Sequence, residues 1–337
     1  MRTVLVTGSA GFIGYHLSRV LLDEGFAVVG FDGMTDYYDV RLKERRHQML
    51  QQHQHFRAEI GMLEDFERLR ELALDTRPDI IVHLAAQAGV RYSLENPRAY
   101  VDANLIGSFN VLEVARELEV EHLLMASTSS VYGANSTMPF TELDKCDTPL
   151  SLYAASKKAI EAMAHSYAHL WGLAITMFRF FTVYGPWGRP DMAFFKFTKG
   201  VLEGTPIDVY NNGDMYRDFT FITDLVHGIR LLLDMPPSPP EGRGELSPHD
   251  SISSAAPYRV VNIGNGEKVR LLDFIEAIER ACGRPAIRNY LPMQKGDVQA
   301  TWADNSLLRD LTGYAPQTRV PEGIEQFVAW YREYYGA

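Results

Sequence analysis

Cysteine is scarce in this chain. Its 337 residues include two, Cys146 and Cys282, far apart and with neither a second thiol nor a histidine at ligand spacing. They read as reduced, incidental thiols, and no metal site is expected. Dense basic runs are missing as well. The formal charge of -10 is spread along the chain, with no cluster of cations to mark a footprint on nucleic acid or on an anionic membrane. No apolar stretch is long enough to cross a bilayer. The opening MRTVLVTGSAG has none of the charged n-region, apolar run or cleavage site of a secretory signal, so the expected location is the cytoplasm. No internal repeat is visible.

What is present is an alternation. Hydrophobic residues make up 46% of the chain, enough for a sizeable core and for more than one domain's worth of chain. Short β-branched runs at 3–7, 27–31, 79–84, 121–127 and 174–180 read as strands, and amphipathic stretches at 14–24, 65–75, 97–117 and 151–171 as helices. This βαβ rhythm predicts the α/β class with a Rossmann-type, doubly wound parallel sheet. Beyond Gly185 the elements shorten, with helices at 193–203, 224–233 and 271–282 and a strand at 207–210, which suits a smaller C-terminal substrate-binding domain. The expected division is 1–180 for the Rossmann domain, with strand and helix returns from the C-terminal half, and 181–337 mainly for substrate. Residues 236–257 are rich in Pro, Ser and Gly. They cannot build a core and are expected to form a mobile surface loop, a plain excursion rather than a lid.

Directly after the first strand comes Thr7-Gly8-Ser9-Ala10-Gly11-Phe12-Ile13-Gly14. Glycines there permit a tight turn and a close backbone approach to a pyrophosphate at the N-terminus of the next helix. Such turns also serve ordinary loops; the strand-turn-helix setting gives this one its weight. Asp32 closes the second strand about 18 residues beyond Gly14. A carboxylate at that place accepts both ribose hydroxyls of NAD and repels the 2′-phosphate of NADP, so the expected cofactor is NAD. The G-x-x-G-x-x-G spacing resembles that of the short-chain dehydrogenase/reductase superfamily.

Tyr153 and Lys157 share one helix face at i and i+4. A phenol titrates at about 10; a neighbouring ammonium and a positive nicotinamide ring are expected to lower that value until Tyr153 is a usable base near neutrality. Taken alone, such a pair is usually solvated. A second hydroxyl is expected from Ala126-Ser127-Thr128-Ser129-Ser130-Val131-Tyr132-Gly133, at the C-terminal end of a strand, where open α/β sheets bind their ligands. Thr128 is the choice.

With these residues assembled, the chain resembles an extended short-chain dehydrogenase of the nucleotide-sugar epimerase/dehydratase family. The likeness rests on TGSAGFIG, FDGMTDYYDVRLKERR, HLAAQAGVRYS, STSSVYG, YAASK, RFFTVYGPWGRPDMA and GDMYRDFTFITD, in the family's order from Thr7 to Asp224. DYYDVRLK and TVYGPWGRPDMA narrow it toward the branch that acts on UDP-glucuronate. The resemblance implies cofactor contacts from Gly8, Gly11, Phe12, Ile13, Gly14, Asp32, Lys43, Glu59, Ile60, Leu84, Ala85, Ala86 and Asn104, besides Tyr153 and Lys157. It implies substrate contacts from Gly89, Arg91, Ser127, Thr128, Ser129, Tyr153 and Thr182. Arg189, Arg217 and Asp297 would hold the UDP portion, where guanidinium groups suit a diphosphate. Gly33, Thr35 and Glu59 depart from the family's usual residues around the adenosine. A homodimer is implied too, built on the helices near 97–117 and 151–171.

The implied chemistry is 4-epimerisation of a UDP-sugar through a 4-keto intermediate, with NAD reduced and reoxidised in each turnover. For glucuronate that intermediate is a β-keto acid, prone to lose CO2. Ser127, Thr128, Ser129 and Thr182 offer neutral hydrogen bonds to fix its carboxylate. A 4,6-dehydratase of the family usually carries an Asp-Glu pair right after the catalytic Thr; Ser129 and Ser130 stand there instead. A UDP-glucose/galactose 4-epimerase and a UDP-glucuronate decarboxylase stay open as neighbouring readings. A non-catalytic NAD-sensing module is a distant one, since fold does not fix function.

Overall fold

The computed structural model describes residues 1–337 apart from 242 and 295. Strands β1 (Thr3–Thr7), β2 (Ala27–Asp32), β3 (Phe56–Ile60), β4 (Ile80–His83), β5 (His122–Ala126) and β6 (Ile175–Phe180) occupy the first half. The later strands used here are β7 (Thr182–Tyr184), β8 (Ile207–Tyr210), β9 (Tyr216–Arg217), β10 (Phe219–Phe221) and β11 (Tyr258–Ile263). Seven of these form one sheet in the order β11-β6-β5-β4-β1-β2-β3, with every pairing parallel.

Both faces of the sheet are covered. Val4 and Val6 enter one core with the helices Phe12–Asp23 and Ile222–Leu233; Leu5 enters the other with Phe66–Thr76, Gly107–Leu118 and Leu152–Trp171. That alternation is the two-residue period of an extended chain. Burial on both sides explains why the central strands read as nearly unbroken apolar runs.

Chain order reverses between β1 and β4: one half of the sheet runs from β1 through β2 to β3, the other from β4 through β5 to β6. Such a switch point leaves a crevice beyond the carboxyl ends of the two central strands, here between Gly8 and Leu84. From the far half of the chain, β11 extends the sheet beside β6, with Tyr258 opposite Ile175 and Ile263 opposite Phe180.

The helix expected over 97–117 is interrupted. A short turn, Pro97–Tyr100, runs into a π-helical segment, Val101–Ile106, before the regular helix Gly107–Leu118. Within the wider turn the buried Asn104 grips both backbone groups of Gln87, accepting from its N at 2.8 Å and donating to its O at 3.0 Å.

The described residues of 236–257 run beside β11. Asp250 pairs with Arg259 at 2.9 Å, Ser251 Oγ accepts from Val260 N at 3.0 Å, and the Arg243 guanidinium donates to the carbonyls of Ser238, Ser253 and Ala256. Short polar side chains that cannot build a core thus make hydrogen bonds instead. Residue 242, within the segment expected to be mobile, lies outside the described residues. Among those described, no helix is long and apolar enough to cross a membrane.

Candidate active site

A cavity of about 800 Å3 opens at the switch point and extends from the glycine turn into the C-terminal half. Gly8 stands at φ +76°, and a Cβ there would lie 2.8 Å from Ala85 N, while a Cβ on Gly14 would lie 2.1 Å from the Gly8 oxygen. Only bare backbone fits, and the open first turn of the helix Phe12–Asp23 is left to meet an anion. Gly8, Gly11, Phe12, Ile13 and Gly14 line the cavity, facing Leu84, Ala85 and Ala86. Asp32 lines it as well, its carboxylate accepting from Ala10 N at 3.0 Å and Met34 N at 2.9 Å. Lys43 is there too, but its ammonium donates to the Thr35 carbonyl at 2.6 Å and hydroxyl at 2.9 Å. Burial lowers its pKa. A bare turn followed by a carboxylate fits a dinucleotide with a free 2′-hydroxyl.

Three expected cofactor contacts do not reach the cavity. Glu59 pairs with Arg68 on the open side of the edge strand β3, and Ile60 at its end is half exposed. The next residues, Gly61, Met62 and Leu63, line the cavity in their place. Asn104 sits behind the wall, acting on the lining residue Gln87 and on Ser156 Oγ, at 3.0 Å.

The helix Leu152–Trp171 starts at Ser151, whose Oγ caps Ala154 N at 3.1 Å. Its first turns bring Tyr153 and Lys157 into the cavity wall. Lys157 Nζ donates to Ala126 O at 2.9 Å, and burial draws its pKa down to about 8. Burial pushes Tyr153 above its usual value, opposed by a hydrogen bond with Thr128 and by the Arg189 charge. In the protein by itself the Lys157 ammonium serves Ala126, and desolvation dominates the phenol. Thr128 Oγ1 accepts from Ser130 N at 3.2 Å. Ser127, Ser129 and Ser130 line the cavity beside it. Ser130 was not among the expected contacts, although the hydroxyl run that contains it was signal enough.

At the far end lie Gly89, Arg91, Thr182, Arg189, Arg217 and Asp297. Arg189 is forked on Asp191 at 3.0 and 2.6 Å, and Tyr37 also donates to Asp191 at 3.2 Å. Arg91 pairs with Asp297 at 3.2 Å. Burial lowers the Arg217 pKa, with Asp297 acting against that. Arg217 donates to the carbonyls of Tyr216 and Gln299 and makes no ion pair of its own among the described residues, which leaves this end cationic and suited to a diphosphate. Arg46, fully buried and also unforeseen, donates to the carbonyls of Ala10 at 3.0 Å and Trp187 at 2.5 Å. It ties the glycine turn to the run that carries Arg189.

The sequence model of the NAD dependent epimerase/dehydratase family matches residues 4–264. A probable UDP-glucuronate 4-epimerase of Rhizobium meliloti is 57% identical over 331 residues, covering 98% of this chain and 97% of that protein. UDP-glucuronate 4-epimerase 4 of Arabidopsis thaliana is 44% identical, over 99% of this chain and 76% of its own. The crystal structure of UDP-glucuronic acid 4-epimerase from Bacillus cereus, in complex with UDP-glucuronic acid and NAD, matches with a TM-score of 0.87 at 32% identity, covering 99% of this chain and 100% of that one.

Proposed function

This chain belongs to the NAD dependent epimerase/dehydratase family, and we propose that it is an NAD-dependent isomerase interconverting UDP-glucuronate and UDP-galacturonate. The observation that carries the reading is the hydroxyl wall: Thr128, Ser129, Ser130 and Thr182 line the cavity together with Tyr153. Neutral donors hold a carboxylate without a buried counter-ion. Dehydration would need acid and base groups directly after Thr128, and none follows it.

Gly8, Gly11 and Gly14 with Asp32 would hold NAD, which would supply the acceptor and donor for a hydride at carbon 4. Tyr153 accepts the 4-hydroxyl proton as the carbonyl forms and gives it back as the alcohol is restored, with Thr128 orienting the sugar oxygen. Lys157 keeps a positive charge one helical turn away at pH values below about 8. Arg189 and Arg217, with Arg91, hold the diphosphate while the keto ring turns about its linkage. Because the cofactor is regenerated in every turnover, none need be added.

The same reading divides the chain into a Rossmann part, 1–180 with β11 and the helix Ile222–Leu233, and a substrate part in the rest of 181–337. It makes the protein a cytoplasmic homodimer, which a single-chain mass in sedimentation would contradict. Exposed Phe109, Leu170 and Trp171 on the helices Gly107–Leu118 and Leu152–Trp171 support that contact. The function is tested by proton NMR of purified protein with UDP-glucuronate and no added NAD. A stationary mixture with UDP-galacturonate is expected; UDP-pentose and CO2 would make it a decarboxylase, and turnover of UDP-glucose alone a glucose/galactose epimerase.

A further inference from the structure

The helix Leu152–Trp171 carries a third polar residue in line with Tyr153 and Lys157. Glu161 follows Lys157 by the same step of four, so the three share one stripe of the helix. That stripe is joined to three consecutive residues at the end of β5. Tyr153 meets Thr128, Lys157 meets Ala126 O, and Glu161 Oε1 meets Ser127 Oγ at 2.7 Å. Glu161 is 2% exposed and is gripped by Arg179 of β6, whose Nε and Nη2 each donate at 2.9 Å, and by Lys158 at 3.2 Å. Arg179, 3% exposed, is stacked on the Tyr132 ring at 4.8 Å. Burial pushes the Glu161 carboxyl up, but the Arg179 fork more than reverses this and holds it below the usual range.

An ionised carboxylate has no proton to give, so the hydrogen between Glu161 and Ser127 belongs to the serine. The Ser127 amide is spent as well, on Phe178 O at 2.6 Å. Ser127 lines the cavity, and with both of its hydrogens spent, any part of it that can bond a ligand there offers a lone pair. We infer that Glu161 and Arg179 are positioning residues that make Ser127 an acceptor-only stretch of wall, turning the sugar carboxylate away from Ser127 and onto the neighbouring hydroxyls of Thr128, Ser129 and Thr182. The inference rests on the proposed action on UDP-glucuronate, and it corrects the expectation that Ser127 donates to the carboxylate. A buried ion pair stabilises little on its own, because desolvating two charges offsets most of their attraction. Fixing the direction of one hydroxyl proton is a task that an apolar pair of the same size cannot perform.

The consequence is the identity of the product. In the 4-keto intermediate, a C5–C6 bond aligned with the carbonyl π system breaks and its electron pair passes to the C4 oxygen. CO2 leaves, C5 takes a proton from water, and UDP-4-ketopentose remains. An acceptor at Ser127 leaves the carboxylate one seat; a donor there would offer a second.

The test compares Ser127→Ala and Glu161→Gln with the unmutated protein by the ratio of UDP-pentose and its 4-keto form to UDP-galacturonate, a ratio that does not depend on the fraction of folded protein. Ser127→Ala is expected to keep the KM for UDP-glucuronate within about threefold, since no donor to the sugar carboxylate is lost, while the ratio rises. In Glu161→Gln the amide donates to Ser127 and frees its proton toward the cavity, and the ratio rises further. A KM raised about tenfold or more in Ser127→Ala, or a ratio unchanged there, overturns the inference. Should Glu161→Gln fail to fold, Ser127→Ala decides alone. A failure of the unmutated protein to epimerise UDP-glucuronate would overturn the proposed function instead.

Discussion

Burial acts on Tyr153 and Lys157 in opposite directions, pushing the phenol up and drawing the ammonium down to about 8. Below that pH the protein alone holds phenol beside ammonium, and a proton leaves Tyr153 only as charge builds at the reacting centre. Tyr153→Phe removes the acceptor without touching the glycine turn. It is expected to retain NAD, read from nucleotide absorbance of the purified protein, while turnover falls about 100- to 10,000-fold; undiminished turnover would refute the assignment. Glu142 carries a separate pH prediction. Burial raises its carboxyl from 4.5 to about 7, against a hydrogen bond from Asn262 N at 2.8 Å. A raised folded-state pKa contributes stability that is full below about 4.5 and lost as pH rises through about 7. Glu142→Gln does not titrate, so its stability relative to the unmutated protein should climb between pH 5.5 and 8 by about 2 kcal/mol, read as urea midpoints. An offset independent of pH would contradict this. Residues whose signal is local spacing, such as Tyr153 with Lys157, are legible in the sequence. Glu161 and Arg46 are not, because their partners arrive from other elements.

At the scale of elements, the turn after β1 is closed by glycine contacts rather than by side chains. Gly14→Ala would drive a methyl into the Gly8 oxygen, 2.1 Å away, and the turn must open. The expected result is protein that purifies without NAD and regains little activity when NAD is supplied; normal retention would show that the turn tolerates a Cβ. The turn was readable because strand, glycines and helix are consecutive. Two nearby elements were not. The helix Val40–Gln51 (VRLKERRHQMLQ) carries charges on most of its turns, and the edge strand β3 (FRAEI) is covered on few sides, so neither shows a clean apolar period. The π-helical segment at Val101–Ile106 has an apolar pattern close to that of an ordinary helix, and its widened turn follows from what Asn104 must reach.

For the whole molecule, the strand order places a crevice where the sheet reverses, and it is lined both by the glycine turn and by Arg189 and Arg217 from the C-terminal half. The alternation of strands and helices foretold this architecture. A strand returning from the C-terminal half was expected; that the strand is β11 and that it pairs with β6 is set by tertiary packing rather than by any local pattern. Epimerisation by this route requires that one site remove a hydride from carbon 4 and return the same hydride to the other face. UDP-glucuronate carrying deuterium at carbon 4, converted in ordinary water without added NAD and followed by NMR, tests it directly. UDP-galacturonate with deuterium still at carbon 4 is expected; product formed with that position exchanged for solvent hydrogen would contradict return of the same hydride.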